Sequence, residues 1–236
     1  MFNLAALKRI FFAAALAGAL AGLLLTLVQQ LQVSQLILKA EVYEDAAAAV
    51  AAPLADHSHA AAGHEPHEHA AWQPANGAER TVFTALANIS LAVGFGLLLG
   101  AVIVLRGQVG GWRAGLLWGL GGYLVFFVAP SLGLPPEVPG TEAAPLGERQ
   151  LWWLMAVVMT ASGLFLLTFV KNWQARLLGV VLLGVPHLVG APQLLLHSST
   201  APIELAHAFI YATAMANAVF WLALGGLMGF FYEKFA

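Results

Sequence analysis

The chain has 236 residues, of which 60% are hydrophobic and only 9% charged, and its net charge is −2. Soluble domains carry about 25% charged residues, so this composition excludes an ordinary soluble domain and points to a polytopic membrane protein. There is no cysteine, which excludes disulfides, thiolate ligands and cysteine nucleophiles.

A bilayer core needs about 20 apolar residues in a helix. Six stretches qualify, in chain order 10–28, 82–105, 112–132, 151–170, 175–195 and 205–231. None has Asp, Glu, Lys or Arg at its middle. Lipid offers no partner to free backbone groups, so each span must be a closed helix. The sequence therefore predicts an all-α polytopic membrane helix bundle of about six transmembrane helices, a single membrane domain over 1–236. Small-xxx-small pairs at Gly18/Gly22, Gly96/Gly100, Gly111/Gly115/Gly119 and Gly225/Gly229 would let helices approach closely. Trp152 and Trp153 at the start of the fourth span, and Phe230, Phe231 and Tyr232 at the end of the sixth, read as interfacial anchors.

The cations set the expected orientation. Lys8, Arg9, Arg106, Arg113, Lys171, Arg176 and Lys234 fall on one side of the alternating spans, and only Lys39, Arg80 and Arg149 on the other. Of the acids, only Glu233 shares the cationic side. The positive-inside rule then places both termini in the cytoplasm of a multi-pass protein. In a bacterium the cell (inner) membrane would hold the chain, with residues 29–81 as a long periplasmic loop. Residues 1–21 also resemble a signal peptide, but the 19-residue apolar run is long for one and favours a retained helix.

Within that loop, "DHSHAAAGHEPHEHA" (56–70) carries His57, His59, His64, His67 and His69 among acids. Imidazole with nearby carboxylate suits Co, Ni, Cu and Zn. The Ala-rich flanks cannot bury a core, so a flexible loop that collects metal is expected over 29–81. A polar linker and a pH-sensing loop are the competing readings. His187, His197 and His207 lie in the last two spans and the hairpin between them. Ionisable groups there default to function. Glu204, His207, Tyr211 and Met215 share one helical face by spacing. Pro186 beside His187 frees the Leu182 carbonyl. Glu204, His187, His197 and His207 thus form a candidate metal path, against the plainer reading that His187 bonds a neighbouring helix.

The segments "GLPPEVPG" (133–140), "RQLWW" (149–153), "GVPHLVGAP" (184–192) and "FWLALGGLMGFFYEKF" (220–235), with the outward His-rich loop, resemble the CbtA-type membrane subunits of cobalt transporters. The resemblance implies uptake of divalent cobalt, with nickel and zinc as further candidates, in the context of cobalamin biosynthesis. It also implies a small single-span His-bearing partner, CbtB-like; a homo-oligomer stays open. No permanently bound cofactor, no enzyme activity and no nucleic-acid partner are expected. Without a phosphate-binding loop, uptake would use the membrane potential, an internal sink or the partner. A metal-sensing or accessory subunit without transport of its own, and a haem-binding membrane oxidoreductase using His187 and His207, are the alternatives. "GLPPEVPG" reads as a stiff loop with three prolines, or with Glu137 on an access path.

A synthetic peptide of residues 54–72 should bind Co²⁺ or Ni²⁺ more weakly than Cu²⁺, following the Irving–Williams order. Titration calorimetry checks this, and a peptide that binds none of the three would remove the metal-collecting role.

Overall fold

The computed structural model describes residues 4–51, 74–107, 110–194 and 199–235. Among them the long elements are all helices, with no strand. α1 (Leu4–Val28) passes through a π-helical turn, Gln29–Val33, into α2 (Ser34–Ala51) without a break. α3 (Ala78–Arg106) and α4 (Gly111–Tyr123) follow; a second π-helical turn, Leu124–Val128, carries α4 into the short α5 (Ala129–Ser131). α6 (Leu146–Phe169), α7 (Trp173–Val189) and α8 (Ile203–Lys234) complete the chain. Five of these helical runs are long and apolar enough to cross a membrane, and α7 is a shorter apolar helix.

Helix ends follow local chemistry. Glu79 accepts the Ala75 amide at 3.1 Å where α3 begins. Gly107, in the left-handed region at φ 65°, closes α3 by donating to the Val104 carbonyl. Left-handed geometry is nearly free only for glycine. Asn172 caps α7 by accepting from the Gln174 amide at 2.9 Å, and Gly190 at φ 83° ends it. α7 therefore stops at Val189, short of the 175–195 span expected, because Gly190 at φ 83° leaves the helical region and Pro192 has no N–H to carry a helix on.

The packing is set by glycine. A Cβ on Gly115 would collide with the Gly225 carbonyl, one on Gly119 with the Trp221 carbonyl, and one on Gly229 with the Gly111 carbonyl. α4 and α8 thus lie backbone against backbone, antiparallel. α1 and α3 make a second seam, where a Cβ on Gly18 would stand 2.6 Å from the Val93 nitrogen and one on Gly22 2.6 Å from the Ile89 Cα. Every small-xxx-small pair expected from the sequence sits in one of these seams or, at Gly100, against Ile10 and Met228. Gly163 and Gly179 join α6 to α7 in the same way. α8 rests on both α1 and α4, so it is the central helix.

The seven cations named above gather at one end. Arg106 lies over the Phe169 ring at 3.9 Å. Arg9 lies over Tyr232 at 3.9 Å and donates to its carbonyl. Tyr232 is therefore buried and not a free interfacial anchor. Among the described residues, the acids other than Glu233 occupy the other end or its extension. There α2 departs from the flexible loop expected over 29–81: residues 29–51 continue α1 as helix. Ala, Leu, Glu and Lys are strong helix formers in water, and they make up most of "LILKAEVYEDAAAAVA". α2 is pinned by a forked ion pair from Arg80 to Glu41 at 2.7 and 3.3 Å. That hydrogen bond, more than the charge itself, lifts the Arg80 pKa above its ordinary value. Two connecting loops close over this end. Thr141 and Ser199 form an isolated antiparallel bridge, the Thr200 amide donates to the Gly140 carbonyl at 3.2 Å, and Val138 is buried in a cluster with Ala40, Ala201 and Phe209. The stiff-loop reading of "GLPPEVPG" fits this arrangement.

Gly115→Val should lower the thermal midpoint in detergent by the equivalent of roughly 1–3 kcal/mol, the usual cost of overpacking. Gly121→Ala, facing open space, should leave it unchanged or raise it, since alanine is the better helix former.

Candidate functional site

His57, His59, His64, His67, His69 and His197 lie outside the described residues. His187 is on the last turn of α7, exposed, with its ring edge-on to Trp152 at 6.2 Å. Glu204 and His207 are exposed on the first turns of α8, followed on that face by Tyr211 (74% exposed) and Met215 (56% exposed). Among the described residues no three His, Asp or Glu side chains are brought together as a metal site. α7 packs along α6, whereas α8 packs on α4 and α1, so the last two helices are not built as a pair.

Depth separates these residues further. At about 1.5 Å per residue, His207 stands about 37 Å from Tyr232 along α8, and Glu204 about 42 Å. A hydrocarbon core is about 30 Å thick. Glu204 and His207 thus lie farther from Tyr232 along the helix than that core is thick. The reason is that α8 begins at Ile203 and is 32 residues long, longer than a bilayer requires. His187 lies about 21 Å from Trp173 along α7.

Three of the sequence segments singled out above converge at the acidic end. Trp152 is 5% exposed and donates from its indole to the Pro186 carbonyl at 3.2 Å. A Cβ on Gly133 would collide with the Trp152 ring and stand 3.1 Å from the Ala191 Cβ. The Gln193 amide donates to the Gly133 carbonyl at 2.9 Å. Trp152 is thus a buried clamp between "GLPPEVPG" and "GVPHLVGAP", not a lipid-facing anchor; only Trp153 keeps an exposed face. On the other side of α6, Trp153 and Arg149 face Pro135, Pro136 and Glu137 across an open groove of about 630 Å³. Arg149 donates to Glu137 there at 2.9 Å.

Sequence reasoning missed a buried polar cluster. Asn88, 9% exposed, donates to Thr26 Oγ1 at 3.0 Å and to Gln29 Oε1 at 2.7 Å. Thr26 in turn donates to the Gly22 carbonyl at 2.9 Å. Gln29 opens the first π-helical turn, and such turns concentrate at functional sites. The available signal was "TLVQQLQVSQ" (26–35), whose four glutamines are unusual at the end of a membrane span.

Residues 7–233, nearly the whole chain, match the family described as "Probable cobalt transporter subunit (CbtA)". The chain belongs to this family. It is therefore a cobalt transporter subunit by family and a membrane protein by its apolar helices. No curated protein matches it, and no solved structure does. Within the family frame, Trp152 ties together three of the segments that carried the resemblance, and α8 supplies the fourth.

Trp152→Phe keeps the ring bulk and removes the indole donor. It should destabilise the protein by about 1 kcal/mol, the net worth of a typical hydrogen bond. Gly133→Ala, which forces the ring to move, should lower the thermal midpoint further than Trp152→Phe does.

Proposed function

We propose that the chain is the permease subunit that admits divalent cobalt from the acidic end of the bundle to the cationic end. The observation that carries this reading is family membership across 7–233 on a bundle whose charges are sorted to opposite ends. On the positive-inside rule the cationic end is cytoplasmic, and the acidic end, with residues 52–73 beside it, is periplasmic. His57, His59, His64, His67 and His69 act as collectors there. Imidazoles free near neutral pH, in an acidic surround, raise the local concentration of cations. His197, His207 and Glu204 belong to the outer mouth, and His187 is the station at membrane depth.

The cargo is divalent cobalt, and the same donors suit nickel and zinc. The ion is cargo, and no resident cofactor is part of this reading. The inward-negative potential supplies about 2.3 kcal/mol per charge per 100 mV, twice that for a divalent ion. The term subunit in the family description supports a partner, which we take to be the small single-span His-bearing chain; lipid surrounds both. Cobalamin biosynthesis is the fitting context for the imported metal.

One observation favours a second reading. No three-ligand group forms among the described residues, which suits an accessory subunit that hands ions to another permease. The haem reading gains no such support, because His187 and His207 sit at different depths on helices with different packing partners.

Cells expressing the chain with its single-span partner should accumulate Co²⁺ above a vector control. His187→Ala should cut that uptake about tenfold, the scale of losing a metal-supporting group. Unchanged uptake in His187→Ala removes that residue from the path, and uptake equal to the control removes the permease reading.

A further inference from the structure

The groove of about 630 Å³ beside α6 takes no part in the transport reading. Its volume falls within the range of ligand sites, about 300–1,000 Å³. Trp153 and Leu154 of α6 form one wall, and Leu134, Pro135 and Pro136 form the other. The second wall is held at both ends. Gly133 lies under the Trp152 ring, and Val138 is buried in the core cluster. Between them the two prolines fix φ, so the groove is built into the fold.

Lipid reaches this place. Phe169, near the end of α6, packs under Arg106 at the cationic end. Arg149 stands about 30 Å from Phe169 along α6, and Trp153 about 24 Å. A hydrocarbon core is about 30 Å thick, so α6 is long enough to bring the groove to the bilayer boundary at the acidic end. Leu151, Leu154 and Val158, each more than half exposed on α6, present apolar surface beside it. One ion pair lies in the otherwise apolar cleft. Arg149 donates to Glu137 at 2.9 Å, and the two side chains keep 30% and 32% of their surface exposed. Among the described residues the guanidinium makes this one bond, whereas it has five N–H donors, and a carboxylate accepts several bonds. The pair thus offers free donors beside free acceptors, with no net charge.

We infer that the groove binds a phospholipid with a zwitterionic primary-amine headgroup, its phosphate on Arg149, its ammonium on Glu137 and an acyl chain against Trp153 and the prolines. In chemical class this is a phosphatidylethanolamine. The complementarity is one of charge: the headgroup carries an anion and a cation side by side, and so does the groove. A guanidinium takes phosphate in a forked pair of bonds. An ammonium with N–H groups donates to a carboxylate as lysine does, and a choline headgroup has no N–H to give. A headgroup with negative charge alone meets the like charge of Glu137. Bound there, the lipid braces α6 against the proline-rich loop that closes over the acidic end.

Quenching by lipids brominated high on the acyl chain reads the site, because Trp153 lines it. The full chain and its Trp153→Phe variant are placed in phosphatidylcholine bilayers. Brominated phosphatidylethanolamine, phosphatidylcholine or phosphatidylglycerol is then mixed in. The difference between the two proteins isolates Trp153 from the other tryptophans. The ethanolamine lipid is expected to compete at Trp153 about tenfold better than the other two, the scale of one hydrogen bond to a charged group. Glu137→Gln is expected to erase that preference, Glu137→Asp to keep it, and Arg149→Gln to weaken binding of the ethanolamine lipid. Helix content and monodispersity confirm that each variant is folded. The inference is overturned if the three lipids quench Trp153 equally, as ordinary boundary lipid does. It is overturned if none quenches it, as when a partner or a second copy covers the groove, or if the preference survives both Glu137→Gln and Arg149→Gln. No transport is measured, so failure here leaves the transport reading untouched.

Discussion

The backbone-on-backbone contact of α4 with α8 fixes where everything else can be. Helices in lipid gain little from burying apolar side chains, since the solvent is as apolar as they are; close packing between small residues takes that role. At Gly115, Gly119, Gly225 and Gly229 even a methyl group would meet a carbonyl of the facing helix. With α8 held this near α4 and resting on α1, its inward face can only take what the gap allows. It carries Phe220, Trp221, Leu224 and Met228, all at most 2% exposed. One to two turns toward the acidic end, the same helix switches to Thr213 and Asn217.

From the acidic end inward along α8, exposed Glu204 and His207 give way to Thr213 and Asn217 and then to the packed rings of Phe220 and Trp221. Both π-helical turns lie beside this transition, one opening with Gln29 and one holding Phe126. The α6–α7 hairpin stands apart. It is joined within itself through the Gly163–Gly179 seam and by Trp152 on Pro186, and tied to the rest by Gly133 under the Trp152 ring, by Phe126 against Trp153, and by Phe169 against Arg106 and Trp118. His187 therefore belongs to a different packing unit from His207. The sequence order suggested successive stations on adjoining helices, and the packing separates them.

Much of the fold was legible, because membrane spans are written in composition. Runs of 20 apolar residues, glycines at four-residue spacing and sorted cations each have one physical meaning in a bilayer. What escaped notice was polar. Residues 29–51 look like a loop to a search for lipid-compatible segments, yet their alanines, leucines and charged pairs stay helical in water. α8 likewise begins at Ile203 and runs 32 residues, longer than a span needs, so span boundaries do not fix the depth of His207. Trp152 and Trp153 are adjacent and chemically identical, and only tertiary contact decides that one is a buried clamp and the other a surface ring. Asn88 gave no signal of its own, because its partners Thr26 and Gln29 are some sixty residues earlier in the chain.

The account stands or falls on whether a divalent ion is driven through this bundle by voltage. The direct measurement is initial Co²⁺ flux into proteoliposomes holding the full chain and its single-span partner, at a series of imposed diffusion potentials. Flux into the lumen should rise as the lumen is made more negative, above that of protein-free vesicles at every potential. Flux that matches protein-free vesicles, or that does not respond to potential, would contradict it.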